Sequence, residues 1–407
     1  MRQRYIILKR GRRNPPDLDF AMEARPQDFT AGQADFGTPR PEEAVAGLRI
    51  EEDEFNDDEV HAAAADSSNL CLAPAVPMQL ITPLDVSVVT TPQEPFDWGI
   101  QAIKADTSKL TGDGITVAVL DTGIDKTHPA FAVPDLKIVE SDFTGTGNGD
   151  TQGHGTHCAG TILGRDVNGY RIGVARGVKT LLVGKVLGPA GGDSVSIAKA
   201  INWAMENGAH VISMSLGIDF PGIQQRMEDA GLPPKLATSR ALDAYRRNVL
   251  LFTTVAASIR ARGDFGRPCV LIAAAGNESE RQLNPEFKIG VSPPAVSDGF
   301  VSVAALGQSP AGWEVAPFSN TGATLSGPGV GITSAKAGGG LVKMSGTSMA
   351  TPHVAGVAAL HADDLARKGM LTSVNLSARI TSLVTLDGLK NGFFPLDIGL
   401  GMVQAPQ

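Results

Sequence analysis

The sequence has few cysteines, few aromatic residues and no long apolar run, and each shortage excludes a class of protein. Only three of its 407 residues are cysteines, Cys71, Cys158 and Cys269. At most one disulfide bond could form, so a disulfide-rich scaffold is excluded. Aromatic residues make up 5% of the chain, whereas glycine is abundant at 47 residues. This composition favours tight turns and close packing of helices on a sheet over an all-β sandwich.

Membrane and secretory signals are also missing from the sequence. No uninterrupted apolar run approaches the roughly 18 residues that a membrane helix needs, so no membrane span is expected. Near the N-terminus the apolar run covers only residues 5–8, whereas the core of a secretory signal has about 7–15 residues. We therefore expect no classical signal peptide, with either a cytoplasmic location or export by a non-classical route.

Net charge is confined to the first quarter of the chain. Residues 1–95 contain 9 basic and 17 acidic side chains, whereas residues 96–407 contain 26 of each. An acidic or neutral protein does not attract the nucleic-acid backbone, so nucleic acid is not an expected partner. The asymmetry divides the chain into an acidic N-terminal region, 1–95, and a second domain, 96–407.

Strand and helix patterns alternate through the second domain. Short apolar, β-branched runs predict buried strands, and longer stretches between and after them predict helices. The predicted strands are residues 114–120, 178–186, 210–214 and 270–275, and the predicted helices are residues 155–163, 194–207, 236–262 and 347–368. This alternation predicts an α/β fold with a mostly parallel central sheet and helices on both faces.

The N-terminal region gives a less regular pattern. Residues 4–9 predict a strand, and the apolar, proline-containing segment 70–84 predicts an edge strand. Residues 14–41 are polar and rich in proline, so they predict a loop. The acidic run 51–59 is typical of a solvated or mobile face, and residues 90–95 resemble a linker.

Polar residues that follow the predicted strands are candidates for chemistry, because ligands bind at the carboxyl ends of parallel strands. Asp121 ends the first strand, and a carboxylate there can orient a histidine. His154 lies between glycines in the segment GHGTHCAG, and small neighbours allow other parts of the chain to approach it. Each residue alone is compatible with a structural role, and His154 with His157 could instead share a metal ion.

A serine and an asparagine complete the set of candidates. Ser348 lies at the start of a predicted helix, where its hydroxyl is a candidate nucleophile and its backbone N–H can face a developing anion. Asn277 follows the apolar run 270–275, and its amide can donate to an oxyanion without titrating. With Asp121 and His154, these residues supply the parts of a nucleophilic triad and an oxyanion hole, in the known chain order Asp, His, Ser.

Five segments, in order, resemble the subtilisin-like serine proteases, the subtilase family. They are DTGID at 121–125, HGTHCAGT at 154–161, SMSLG at 213–217, AAAGN at 273–277 and GTSMATPHVAG at 346–356. The resemblance covers about residues 97–407, and the cysteine of HGTHC is similar to that of the proteinase K branch. It implies a subtilisin-like fold and a serine endopeptidase that acts on polypeptides through an acyl-enzyme.

The resemblance also implies roles for individual residues. Asp121 orients the base, His154 is the base and later the acid, Ser348 is the nucleophile and Asn277 is the oxyanion donor. His157 does not match the catalytic position and is expected to pack on the following helix, while Cys158 is expected to be a small buried side chain. An extended substrate would lie between two segments; these contain Ser215, Leu216 and Gly217 on one side and Gly191 and Gly192 on the other.

The second domain departs from the family pattern in two places. Residues 218–268 form an enlarged insertion after the substrate-binding strand, which we interpret either as a rim or lid over the cleft or as a surface helix without a role in selectivity. Segment 128–131 lacks a carboxylate that many relatives use for calcium. No cofactor is expected for the chemistry, and a structural calcium ion is left open without an assigned site.

Residues 1–95 loosely resemble the inhibitory prodomain of the family. On that interpretation they would assist folding, block the cleft and be cleaved near residues 90–96. The long acidic, proline-rich middle fits this less well, so a permanent regulatory module and a partner-binding tail remain alternatives.

Two other functions are compatible with parts of the pattern. A metal-dependent hydrolase could use Asp121, His154 and His157, but it leaves Ser348 and Asn277 without a role. A non-catalytic peptide-binding protein could share the fold, but every member of the triad is present in this sequence.

Overall fold

A computed structural model describes residues 2–10, 48–90, 94–263 and 266–407. The loop predicted at residues 14–41 lies outside the described residues, as do residues 91–93 of the predicted linker. Among the described residues, no helix combines the length and apolar character needed to cross a membrane. All three cysteines are buried and none is in a disulfide bond.

The N-terminal region contains a small antiparallel sheet with β1 in its centre, followed by two short strands that pair with the second domain. Its elements are β1 (Gln3–Arg10), β2 (Leu48–Phe55), α1 (Asp57–Ala65), β3 (Asn69–Pro74), β4 (Pro77–Leu80) and β5 (Leu84–Val89). The strand predicted at residues 4–9 is present, and the predicted edge segment 70–84 supplies β3 and β4.

The acidic run at residues 51–59 is more ordered than its composition predicts. It forms most of β2 and the start of α1, and β2 pairs with β1 along its whole length. Basic neighbours compensate the charge: Lys9 lies 2.8 Å from a carboxylate oxygen of Glu51, and Lys199 lies 2.6 Å from one of Glu52. The acidic run is solvated as predicted, since much of β2 is exposed. It is not a mobile segment, because β2 is a paired strand.

The second domain begins with a short helix and then alternates strands and helices. Its strands are β6 (Thr116–Asp121), β7 (Lys137–Asp142), β8 (Thr180–Lys185), β9 (Gly192–Asp193), β10 (Val211–Met214), β11 (Leu216–Ile218), β12 (Val270–Ala274), β13 (Phe300–Ser309), β14 (Gly312–Val315), β15 (Leu325–Pro328), β16 (Ile332–Ala335), β17 (Leu341–Ser345), β18 (Val384–Thr385) and β19 (Met402–Val403). Its helices are α2 (Trp98–Ala102), α3 (His154–Leu163), α4 (Ser194–Glu206), α5 (Phe220–Asp229), α6 (Pro234–Gly263), α7 (Thr347–Arg367), α8 (Ser373–Ser382) and α9 (Pro395–Ile398).

The central sheet confirms the predicted α/β class. Its strand order is β18-β19-β15-β13-β12-β10-β6-β8-β7, with β14 paired to β13. All pairs from β7 to β19 along this path are parallel, and only β14 and β18 join antiparallel. The predicted strands correspond to β6, β8, β10 and β12.

Helices cover both faces of this sheet because its strands are apolar on both faces. Val117 and Val119 of β6 belong to one buried cluster with α3 and α7. Ala118 and Leu120, which point to the opposite face, belong to another cluster with α4 and α6. That second cluster also contains Ile6 and other residues of the N-terminal sheet, so the two regions share a core.

α7 packs against α3, and a glycine of α7 allows the segment after α3 to approach it closely. A Cβ on Gly356 of α7 would lie 2.5 Å from Cβ of Val174, a distance that real side chains do not adopt. Val174 follows α3 and donates its backbone N–H to the Thr161 carbonyl oxygen of that helix over 3.0 Å. The first turns of α3 and α7 carry His154 and Ser348.

Candidate active site

Asp121 and His154 form a buried hydrogen-bonded pair at the carboxyl end of the sheet. Asp121 is the last residue of β6, and His154 is the first residue of α3. His154 Nδ1 lies 2.8 Å from Asp121 Oδ1, and both residues are at most 1% exposed. A Cβ on Gly155 would lie 2.2 Å from the Gly123 carbonyl oxygen. The glycines of the two motifs therefore allow the start of α3 to reach the end of β6.

The carboxylate controls the charge state of the imidazole. Burial acts to lower the pKa of His154, but the charge of Asp121, the neighbouring Cys158 and the hydrogen bonds to both together outweigh burial and raise that pKa well above its ordinary value. Since the carboxylate accepts at Nδ1, the proton of a neutral His154 is held on that nitrogen. Nε2 is then left with a lone pair, as a base requires.

Ser348 is the second residue of α7 and is fully buried beneath the N-terminal region. Its hydroxyl donates to the carbonyl oxygen of Ile81 over 3.1 Å, and His154 Nε2 has no hydrogen-bond partner. The expected contact between base and hydroxyl is therefore not formed in this state. The reason is local, because a backbone carbonyl of the N-terminal region accepts the hydrogen bond that the Ser348 hydroxyl would otherwise donate to His154.

Asn277 is oriented by the residue next to Ser348. Its Oδ1 accepts from both the backbone N–H and the hydroxyl of Thr347, each at 2.9 Å. Its Nδ2 is thereby turned toward the cleft, where it donates to the carbonyl oxygen of Thr82 over 3.0 Å. The sequence analysis did not identify Thr347, although its place beside Ser348 in the GTS motif is the signal that could have done so.

The two predicted substrate-binding segments lie on opposite sides of β4. β11, which contains Leu216 and Gly217, pairs antiparallel with β4 on one edge, and β9, which begins with Gly192, pairs with it on the other. Gly191 directly precedes β9 and exchanges two backbone hydrogen bonds with Gly188. The Ser215 hydroxyl is buried and donates to the Ser348 carbonyl oxygen of α7 over 3.4 Å.

Residues 77–89, here called the strap, occupy the cleft as an extended strand. β4 fills the groove between β9 and β11, residues 81–83 pass the Ser348 hydroxyl, and β5 then pairs antiparallel with β17. Met78 and Ile81 are buried, whereas Gln79 between them is exposed. The strap thus follows the path of a bound polypeptide through the site.

The insertion after β11 borders this cleft. α5 and the first half of α6 pack together through an edge-to-face contact between Phe220 and Tyr245. Both rings line a pocket of about 650 Å³ that also contains Ile81 of the strap and Gly217 of β11. Further along, Asn248 of α6 donates to the Pro74 carbonyl oxygen of β3 over 2.9 Å. The insertion therefore contacts both the cleft and the N-terminal sheet.

The structure separates His157 from the other candidate metal ligands. Its Nε2 lies 3.1 Å from the Ile332 carbonyl oxygen, so its hydrogen bond is to the strand β16. Among the described residues, the side chains that could jointly hold a metal ion are Asp121, His154 and Cys158. Cys158 is buried, with its Sγ 3.7 Å from His154 Nδ1.

Comparison with known proteins gives a consistent family likeness. The sequence profile of the subtilase family matches residues 112–387. The chain is 36% identical over 283 residues to M-protease of Shouchella clausii (strain KSM-K16), and this match covers 67% of this chain and 61% of that protein. It is 35% identical over 274 residues to subtilisin Savinase of Lederbergia lenta, covering 65% of this chain and 82% of that protein. It is 33% identical over 298 residues to subtilisin DY of Bacillus licheniformis, and this match covers 71% of this chain and 91% of that protein. The chain thus spans about three fifths of the length of M-protease.

Proposed function

Because the chain belongs to the subtilase family, we propose that it is a serine endopeptidase that hydrolyses polypeptides through an acyl-enzyme. One observation carries the proposal. A polypeptide strand lies in the cleft with one carbonyl at the Ser348 hydroxyl and the next at the Asn277 amide, beside the buried Asp121–His154 pair.

The proposed reaction uses these groups in two stages. Ser348 Oγ attacks the carbonyl carbon of the scissile bond while His154 Nε2 takes the hydroxyl proton, and Asp121 stabilises the resulting imidazolium. Asn277 Nδ2 and the Ser348 backbone N–H, which lies in the first turn of α7, bind the oxyanion. His154 gives its proton to the leaving amine, and water then hydrolyses the acyl-enzyme by the same transfers in reverse.

We assign no metal ion a role in this reaction. Asp121, His154 and Cys158 cluster closely, but in the proposed chemistry the same imidazole must stay free to accept the Ser348 proton. A structural calcium ion elsewhere remains a separate hypothesis. Treatment with a chelator distinguishes a catalytic metal ion from a structural calcium ion. Brief treatment should leave the rate of peptide cleavage unchanged, even if prolonged treatment lowers the melting temperature.

We also propose that residues 1–95 inhibit the second domain by placing the strap in its cleft. The arrangement of the strap is unproductive. The Ile81 carbonyl accepts from the nucleophile instead of lying at the Asn277 amide, and the carbonyl that does lie there, of Thr82, belongs to a bond with Pro83. That tertiary amide carries no N–H, and in neither bond does one carbonyl oxygen meet both Ser348 and Asn277.

The docking contacts of the N-terminal region support this inhibitory role. Arg4 forms an ion pair with Asp193 at the start of α4, and Lys199 of α4 pairs with Glu52 at 2.6 Å. Between these ion pairs and the strap lie buried apolar side chains of β1 and β3. Cleavage near residues 90–96 would free the region, whereas a permanent regulatory module would stay joined to the second domain.

The test follows cleavage of a peptide library together with the mass of the protein itself. We expect cleavage by the full chain, none by Ser348→Ala, and a shortened N-terminus in the active material. Active enzyme of intact mass would overturn the prodomain interpretation while leaving the endopeptidase proposal in place. Activity retained by Ser348→Ala, or abolished at once by a chelator, would instead favour the metal-dependent hydrolase, and absence of any cleavage would favour a peptide-binding protein.

A further inference from the structure

Asp219 lies at the rim of the cleft, between the substrate-binding strand and the insertion. It follows β11 directly and caps α5, because its Oδ1 accepts from the Gly222 backbone N–H over 2.9 Å. A Cβ on residue 222 would lie 1.8 Å from Asp219 Oδ2. The absence of a side chain at Gly222 therefore leaves room for this carboxylate, whose position is fixed by the helix start.

The second carboxylate oxygen contacts the strap. Gln79 Nε2 donates to Asp219 Oδ2 over 3.1 Å. Gln79 is paired with Gly217 of β11, so its backbone lies in register with the substrate-binding strand. The Ile81 carbonyl oxygen accepts from the Ser348 hydroxyl. Counted back from the bond between Ile81 and Thr82, Gln79 is the third residue.

We propose that Asp219 selects substrates with a hydrogen-bond donor, above all a lysine or arginine, at the third residue before the scissile bond. The proposal rests on the endopeptidase function and takes the strap as a guide to how a substrate lies. The carboxylate accepts from the glutamine amide of the strap, and a cationic side chain at the same place would add charge attraction. A glutamate there would meet a like charge.

A neighbouring arginine weakens the attraction between Asp219 and a cationic side chain of the substrate. Arg226 Nη1 lies 4.0 Å from Asp219 Oδ2, about two helical turns along α5, and competes for the same oxygen. The Asp219 side chain is 30% exposed, so water and salt also weaken the attraction. Exposed ion pairs of this kind change an equilibrium by about two- to fivefold, and we expect a selectivity of that size.

The experiment is a competition between peptides that differ at one residue. Each carries the sequence of residues 77–84 with Pro83→Ala, and the position of Gln79 is lysine, glutamine, leucine or glutamate. Cleavage of a mixture reports ratios of kcat/KM, which do not depend on how much enzyme is active or how much strap has been released. The enzyme is whatever active form the expressed full chain yields.

Three variants make the competition specific to this carboxylate. Asp219→Asn keeps an oxygen that can cap α5 but removes the charge, and should lower the lysine-to-glutamate ratio about two- to fivefold. Asp229→Asn removes the same charge from the exposed far end of α5 and should leave the ratio unchanged. Arg226→Gln removes the competing cation and should raise the ratio, and 1 M salt should reduce it in the wild-type enzyme.

The outcomes separate this inference from the proposed function. Cleavage of all four peptides with a ratio unaffected by Asp219→Asn would overturn the inference and leave the endopeptidase intact. An equal change in Asp229→Asn would overturn it too, by assigning the preference to the general charge of α5. If no peptide is cleaved, the endopeptidase function fails and this inference with it.

Discussion

At the residue scale, the site depends on side chains whose orientation is fixed by a second residue. Thr347 holds the oxygen of the Asn277 amide, so its nitrogen faces the cleft, and Asp121 fixes which nitrogen of His154 carries a proton. Because these orientations exist before a substrate arrives, the groups need little rearrangement when charge develops.

Replacing Asn277 with alanine should slow the chemical step far more than it weakens substrate binding. The amide contributes most when the carbonyl oxygen becomes negative, so we expect kcat to fall about 100- to 1,000-fold with little change in KM. Thr347→Val, which removes only one of the two donors to the Asn277 oxygen, should cost much less. Steady-state kinetics on a short peptide tests both, and a large rise in KM at unchanged kcat would refute the oxyanion role.

Activity should increase as the solution becomes more alkaline. His154 must be neutral to accept the hydroxyl proton, and Asp121 holds the pKa of His154 well above its ordinary value against the opposing effect of burial. The rate should therefore rise with pH through a midpoint above neutrality. A pH profile of kcat/KM measures the midpoint, and a flat profile from pH 5 to 9 would exclude a histidine base.

At the scale of the elements, the strap is the feature that we propose controls access to the nucleophile. Its buried side chains anchor it on both sides of the exposed Gln79, with Met78 packed among the residues around β9 and β11 and Ile81 in the pocket beside Gly217. Loss of an anchor should therefore shift the chain toward an open cleft.

The variant Met78→Ala should raise the activity of the uncleaved chain. Truncating a buried methionine costs about 2–5 kcal/mol, and here much of that cost falls on the docked strap. Gln79→Ala, which truncates the exposed neighbour, is the matched control and should change activity much less. Initial rates measured before any shortening of the chain test this, and equal rates in Met78→Ala and wild type would argue against the strap as an inhibitor.

Regular elements with strong patterns could be predicted from sequence, whereas contacts between distant segments could not. The strands ending at Asp121 and Met214 are short, apolar and β-branched, and both are present where predicted. The passage of residues 81–83 across Ser348 left no comparable signal, because its hydrogen bonds join atoms more than 190 residues apart along the chain. The order of the acidic run was missed for the same reason, since pairing with β1 stabilises β2.

At the scale of the whole molecule, the interior contains imidazoles that burial keeps neutral. Burial lowers the pKa of His157 to about 3 and the pKa values of His353 and His361 to about 4. In the unfolded chain these groups take up protons below about pH 6.5. Asp97 has the opposite effect on the pH dependence of stability. Burial raises its pKa to about 6, so in the pH range just below 6 the folded state holds a proton that the unfolded state lacks.

The protein should therefore lose stability in mild acid. Near pH 5, these four groups together bind a net two protons more in the unfolded state than in the folded state, three at the histidines less one at Asp97. The free energy of unfolding should then decrease by about 3 kcal/mol per pH unit near pH 5. His361→Gln keeps a donor for the Gln404 carbonyl oxygen, which lies 3.0 Å from His361 Nε2, and should reduce the slope by about half, because one of the net two protons is lost. Urea unfolding at several pH values tests this, and a stability that rises with acidity would contradict it.

The most direct test of the central claim is to find which atom an active-site-directed phosphonyl fluoride modifies. We predict one adduct per chain, located by peptide mapping on Ser348, with slow labelling of the intact chain and faster labelling of Met78→Ala. Labelling at another residue, or loss of peptide cleavage without any adduct on Ser348, would contradict the assignment of Ser348 as a nucleophile that the strap covers.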